Sequence, residues 1–311
     1  MAPDTDYRRI AREMDFEGFI HDQWYGPWRL LRNEPFPEQW DTFVSGAFSQ
    51  FHFAPHEINV QHLKNEGYQD DTIFLVGNSI VDAIELKRRE KPEESVFDVY
   101  PQLEEGDDWI RVDIHRRGNL LEGRFKAIIG AVKDLVKDGY NVVFIEMTAT
   151  RAALEHYNLR DELIKLAEDH KNFLFTGLWP SYGHVIEFLE SGKCFAEYTD
   201  SGSMQEELNE IDETMCLTAR FNTDRPETAF DAKTNILVPP ISRDFIHGFI
   251  KQIHKNKESL SESHKKLYGR NVGNKIVKTF INLDEIRKLR TFMWSHEALN
   301  FSFEKGDYRF L

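Results

Sequence analysis

Residues 109–147 read WIRVDIHRRGNLLEGRFKAIIGAVKDLVKDGYNVVFIEM. Trp109–Ile114 is a β-rich run that follows the acidic stretch EEGDD. Leu120–Asp138 then places Phe125, Ile128, Ile129, Val132, Leu135 and Val136 on one helical face, and Gly139 stops it. Asn141–Met147 returns to strand-like residues. The alternation continues with a helix around Arg160–Asp169, a strand at Asn172–Thr176, a helix at Tyr182–Glu190, and strands at Lys193–Tyr198 and Thr214–Thr218 with a helix from about Met204 between them. Asn235–Val238 closes the series before Pro239-Pro240. Short apolar strands alternating with helices predict an α/β fold whose parallel sheet is covered on both faces. Ligands of such sheets bind beyond the carboxyl ends of the strands, so the loops leaving the strands are where chemistry is expected.

Outward from this centre, three helical runs follow: Arg243–His254, Ser259–Lys266 and Val272–Leu289. The last 25 residues, rich in Phe, Trp and Tyr, are too apolar for a solvated tail and are expected to pack on the core. The first 80 residues are less regular, with Trp24, Trp28 and Trp40, the turn-rich PFPEQ and a strand candidate at Thr72–Val76. They are too few for a second complete doubly wound domain. The expected organisation is a truncated N-terminal segment over 1–80, a complete Rossmann-like domain over 81–286, and an aromatic tail over 287–311.

Composition narrows the function. The 311 residues are 41% hydrophobic, enough for a substantial core. Thirty-nine basic residues against 53 acidic ones leave a net charge of −14, which argues against a general nucleic-acid binder but permits a local basic pocket. Cys194 and Cys216 sit in apolar runs and read as buried small hydrophobes rather than a disulfide or metal framework. No secretory leader and no membrane-length apolar run is found, so a cytoplasmic protein away from the membrane is expected. The twelve histidines show no HExxH spacing, and no metal site is expected.

Three loops carry the chemistry. In Tyr198-Thr-Asp-Ser-Gly-Ser-Met-Gln-Glu-Glu-Leu208 a strand ends, a Ser/Gly turn follows and a helix begins. Backbone N–H groups of such a turn, with the positive end of the helix dipole, form an anion site; Gly202 lets a phosphate approach, and Ser201 and Ser203 can donate. Glu206 or Glu207, one turn in, can accept from sugar hydroxyls. The same residues also read as an ordinary N-cap, with Gln205 or Glu206 completing a capping box. His115-Arg116-Arg117, at a strand's carboxyl end, suits a diphosphate, and equally suits a charged surface loop. Thr223-Asp-Arg-Pro-Glu227 places Arg225 after another β-run, and by itself is an ordinary charged turn.

Taken in order, these blocks resemble the UDP-N-acetylglucosamine 2-epimerase family. His52-Phe-Ala-Pro-His-Glu57, Glu66-Gly67 and Val76-Gly-Asn-Ser-Ile-Val-Asp-Ala83 resemble its FAPTE…EG…TGNTVIDA blocks. Ile114-His-Arg-Arg117 is similar to its HRRE element, Thr199–Glu207 to TDSGGxQEE, Thr223–Glu227 to TERPE, and Tyr268-Gly-Arg-Asn-Val-Gly273 to a late YGDG turn.

The resemblance implies a GT-B-like fold with one complete Rossmann-like domain. It implies UDP or a UDP-N-acetylhexosamine as ligand, bound through Arg116, Tyr182, Ser201, Gly202, Ser203, Glu207 and Arg225. Pro180-Ser-Tyr182 resembles the loop beside the uracil, and the last Glu of QEE, here Glu207, the ribose contact. It also implies inversion at C2 of the sugar by elimination and re-addition of UDP, with Glu38 and His115 as catalytic residues and no metal or redox cofactor. Several positions depart from the pattern: a catalytic Glu falls on Gln23, or on Asp22 with a shift, Gly118 replaces the Glu of HRRE, and Ser203 the second Gly of TDSGG. Three readings of function remain open. The chain is an active epimerase; a UDP-sugar-binding module, as a homo-oligomer or with a partner chain supplying the missing half; or a GT-B glycosyltransferase.

Overall fold

The computed structural model describes residues 38–90, 92–211 and 213–285. They form two compact units, one comprising residues up to Phe43 and Ala83–Leu267, the other Val44–Asp82 and the chain from Tyr268.

The larger unit is built on a six-stranded sheet of β3 (Trp109–Asp113), β4 (Val142–Glu146), β5 (Phe173–Gly177), β6 (Cys194–Thr199), β7 (Met215–Thr218) and β8 (Asn235–Leu237). All neighbours pair in parallel, in the order β5-β4-β3-β6-β7-β8. Every residue of β3, β4, β6, β7 and β8 is buried, which is why their sequences read as continuous apolar runs. The helix Glu122–Lys137 buries Phe125, Ile128, Ile129, Ala131, Val132, Leu135 and Val136, the face set by its 3.6-residue spacing. Each of the Phe, Ile, Val and Leu side chains among them contributes about 1.5–3 kcal/mol by leaving water. It packs against Arg243–Lys255, whose buried stripe is Ile246, Phe249, Ile250 and Ile253.

Two features of this unit position the site. The order of strands reverses between β3 and β6, as the chain moves outward through β4 and β5 and then returns to the other side of β3. That reversal makes their carboxyl ends a topological switch point. The β3–β6 register also slips beside Trp109, where Trp109 pairs with Cys194 but Ile110 with Ala196. The extra residue sets Arg111 opposite Glu197 and Asp113 opposite Thr199.

The smaller unit pairs β1 (His52–Ala54) with β2 (Ile73–Leu75) in parallel, joined through the helix Glu57–Asn65. Phe53 lies 5.8 Å from the Phe74 ring and 5.1 Å from that of Phe280, on the helix Val272–Glu285. Gly77 has φ +94°, and a Cβ there would stand 2.2 Å from the Tyr268 carbonyl oxygen, so only glycine fits.

Most predicted elements are present within a residue or two. The helix expected over Ser259–Lys266 is instead the short Lys257–Ser261. Its continuation is captured by long-range bonds: the Lys265 N–H donates to the Ala232 carbonyl, and Asn209 donates to the Lys265 carbonyl and accepts from the Leu267 N–H. Helix Thr148–His156 and strand β1 are additions to the sequence reading. The tail over 287–311 and the end of the last helical run lie outside the described residues. Cys194 and Cys216 are buried, as expected. Among the described residues no helix is long and apolar enough to cross a membrane.

Candidate functional site

The loops leaving β3 and β6 are joined by Asp200. Its carboxylate accepts from the backbone N–H groups of His115 and Arg116, each at 3.0 Å, and from Asn119 Nδ2 at 3.0 Å. Its carbonyl accepts from Arg116 Nε at 2.9 Å and from Arg220 Nε and Nη2 at 2.9 and 2.6 Å. One buried residue on the loop after β6 thus fixes the loop after β3, with its Arg116 guanidinium, and the Arg220 guanidinium on the loop after β7.

The helix Gly202–Ile211 starts immediately afterwards. Ser201 is its cap, with Oγ 3.5 Å from the Met204 N–H and 3.2 Å from the exposed Ser203 Oγ. The reciprocal half of a capping box is not made. Gln205 donates to the Ser201 carbonyl at 3.1 Å and accepts from Thr223 and Asn235, tying the helix to β8 and to the Thr223–Glu227 loop. The cap engages one N–H and leaves the positive end of the helix dipole directed at Gly202.

Three guanidinium groups converge there. A Cβ on Gly202 would lie 3.5 Å from Arg116 Nη2, 3.6 Å from Arg220 Nη2 and 3.8 Å from Arg225 Cζ. Arg220 is held by Asp224 at 2.9 Å, and Arg225 by Asp224 and by Glu206 at 3.0 Å. Burial and the neighbouring Arg220 charge bring Arg116 down to about 10, and burial lowers Arg220 as well. Both stay cationic at neutral pH. Crowded positive charge at a helix N-terminus is an arrangement that favours an anion.

His115 is half-buried beside them, with Nδ1 3.1 Å from Asp113 Oδ1. The hydrogen bond to Asp113 raises its pKa against the opposing effect of burial. Arg117, by contrast, is exposed. Farther along the same face, the Tyr182 hydroxyl donates to the Glu207 carboxylate, and burial raises Glu207 above its ordinary value. Below them the sheet carries the Arg111–Glu197 ion pair, fully buried, with the Arg111 guanidinium 5.2 Å from the Trp179 ring. No group of three or more His, Cys, Asp or Glu among the described residues is placed to hold a metal ion.

Comparison with known proteins decides the family. The family description "UDP-N-acetylglucosamine 2-epimerase" matches residues 31–281, most of the chain. The chain belongs to the UDP-N-acetylglucosamine 2-epimerase family. Among curated members it is 34% identical over 209 residues to the UDP-N-acetylglucosamine 2-epimerase of Methanocaldococcus jannaschii, covering 65% of this chain and 54% of that protein. It is 31% identical over 206 residues to that of Bacillus subtilis, covering 62% and 47%. The chain spans about half the length of the curated relatives it matches. The M. jannaschii enzyme solved in complex with UDP-GlcNAc and UDP superposes with a TM-score of 0.65 at 28% identity, over 81% of this chain and 66% of that one. The Neisseria meningitidis enzyme bound to UDP-GlcNAc, at 23% identity and a TM-score of 0.67 over the same shares, shows the common fold. That fold is the GT-B-like α/β architecture.

Within this epimerase-family chain, the structure brings together His115, Arg116, Ser201, Gly202, Ser203 and Arg225, and pairs Tyr182 with Glu207. Glu38 opens the helix Glu38–Phe48, and its side chain, like Gln23, lies outside the described residues. Arg220, Asp200, Asn119 and Asp113 are the residues that sequence reasoning passed over. Arg220 follows β7 directly, a strand-exit position like that of His115, and that position is its one signal in the sequence.

Proposed function

We propose that this epimerase-family chain binds the diphosphate of a UDP-sugar at the amino end of the Gly202–Ile211 helix and interconverts UDP-N-acetylglucosamine and UDP-N-acetylmannosamine. The observation that carries this reading is the approach of Arg116, Arg220 and Arg225 to within 4 Å of a Gly202 Cβ position, at the β3–β6 switch point. The complexes of the M. jannaschii relative with UDP-GlcNAc and UDP support the choice of nucleotide. Ser201 and Ser203 supply hydroxyl donors beside the backbone N–H groups. Glu207 would accept from the ribose, and Tyr182, at the start of its helix, would line the base.

Inversion at C2 needs removal of the C2 proton as UDP departs from C1, then return of UDP to the same face of C1 and of a proton to the opposite face of C2. The departing group is an anion, so the three arginines and a protonated His115 stabilise the charge that develops on it. Glu38 is the carboxylate assigned to proton transfer. Calorimetry with UDP tests the binding step: binding to the wild type, with loss of heat in Ser201→Ala and Glu207→Gln, is expected. Following deuterium incorporation at C2 of UDP-GlcNAc in D2O by NMR tests the chemistry.

One feature of the sequence favours a second reading. The position where the family resemblance places a catalytic Glu falls on Gln23, or on Asp22 with a shift, and where it is Gln23 an amide is not a base. A chain that binds UDP but leaves C2 unlabelled would be a nucleotide-sugar-binding module that relies on a partner chain for its carboxylates.

A further inference from the structure

Asp113 is the last residue of β3, almost entirely buried, and stands just outside the HRR block. Its Oδ1 is 3.1 Å from His115 Nδ1. Asp200 Oδ1 is also near that nitrogen, at 3.4 Å, but it already accepts the His115 backbone N–H at 3.0 Å, while Asp200 Oδ2 takes Arg116 N–H and Asn119. The Asp200 carboxylate is therefore committed to the loop backbone, and Asp113 is the better-placed partner of the ring. Arg111, in turn, has Nη1 3.8 Å from Asp113 Oδ2, so a buried positive charge stands behind the carboxylate.

We propose that Asp113 is a positioning residue for His115: it accepts the Nδ1–H bond, sets the ring and favours the imidazolium, so that a protonated Nε2 is presented to the bound diphosphate as a donor. This rests on the diphosphate reading above. A neutral ring bonded through its Nδ1–H turns an acceptor lone pair on Nε2 to the phosphate, so donation from Nε2 needs the imidazolium. The carboxylate also favours the imidazolium, in which both nitrogens donate. The raised pKa of His115 agrees with this geometry. The other charged groups facing the ring are Asp200 from the loop after β6, which acts in the same sense, Arg220 from the loop after β7, which opposes it, and Arg116 from its own loop. Glu197 on β6 lies behind Arg111 and pairs with it.

The experiment uses the full chain labelled with 15N and 13C in histidine, with the His115 signals assigned by their loss in His115→Gln. In the wild type, neutral His115 is expected as the Nδ1–H tautomer, read from its ring 15N shifts. In Asp113→Asn its pKa falls, UDP affinity at pH 7 drops about tenfold, and the pH profile of UDP affinity moves to lower pH. Asp113→Glu restores part of each.

A wild-type Nε2–H tautomer, or an unchanged His115 titration in Asp113→Asn, overturns the proposal. Should that variant not fold, the wild-type tautomer decides alone. A wild type that binds no UDP yet shows the Nδ1–H tautomer and its dependence on Asp113 removes the diphosphate reading and leaves the Asp113–His115 pairing standing.

Discussion

Arg111 lies inside β3 and Arg116 in the loop that leaves it, and the protein treats their charges in opposite ways. Arg111 is fully buried and faces Glu197 and Asp113; burial alone would lower its pKa, but the two carboxylates hold it above the usual value. Arg116 is only half-buried, yet burial and the adjacent Arg220 bring it down to about 10. The first charge is answered within the fold. The second is set among other cations around Gly202. A guanidinium that the fold neutralises is a stability element, whereas guanidinium groups gathered around a backbone turn at a helix N-terminus are placed for an outside anion.

The most disruptive way to break the comparison is to remove one member of the buried pair. Arg111→Met leaves Glu197 buried without its partner and is expected to cost about 3–5 kcal/mol of unfolding free energy. Urea unfolding followed by circular dichroism measures it. Arg111→Met with Glu197→Leu removes both charges together and should recover most of that loss, because an apolar pair needs no desolvation of ions. A double variant as unstable as the single one would show that the pair is not the element that matters.

The same comparison predicts the reverse pattern at the cradle, where binding changes and stability does not. A Cβ at Gly202 meets its nearest neighbour at 3.5 Å, an ordinary contact, so Gly202→Ala keeps the fold. It fills space where the proposed phosphate would sit beside the turn, and UDP affinity is expected to fall about 100-fold, or ~2.7 kcal/mol. Arg116→Gln comes next, with a loss of about tenfold, as for one charge-assisted hydrogen bond. Its affinity should also depend less on salt than that of the wild type. Calorimetry at two salt concentrations checks both variants.

How much of this was legible in the sequence follows from where the interactions reach. The strands and the Glu122–Lys137 helix were readable because burial repeats at the spacing of the backbone itself. His115, Arg116 and the Ser201–Glu207 turn were readable because loop chemistry at a strand exit is local. Arg220 was not, since its role comes from bonds to the Asp200 carbonyl 20 residues away. Nothing local marks Glu197; in a sheet covered on both faces it is wholly buried and pairs with Arg111 across a register shift. Asp113 reads as an unremarked strand residue until its distance to His115 is known. The lone Lys257–Ser261 misreading has the same origin, in bonds from Lys265 and Leu267 to Ala232 and Asn209 that no local pattern announces.

The smallest expected effect separates the two regions by pH. Arg116, at about 10, keeps its charge throughout the neutral range, so the arginine cradle does not titrate there. His115 does. Its folded pKa is raised, first by the hydrogen bond to Asp113 and then by the charge of Asp200, against burial. A raised value means that the folded protein holds the proton more tightly than the unfolded chain. The stabilisation is therefore complete below the unfolded imidazole value and is lost as pH rises through the folded one. His52 and His62 are lowered by burial and act in the opposite sense, so the wild-type profile alone mixes the two. The difference in unfolding free energy between wild type and His115→Gln isolates the site: it should favour the wild type most at the acid end of that window and shrink as pH rises. A difference that grows with pH would mean that His115 sits neutral in the fold, and would place it with the buried region rather than with the cradle.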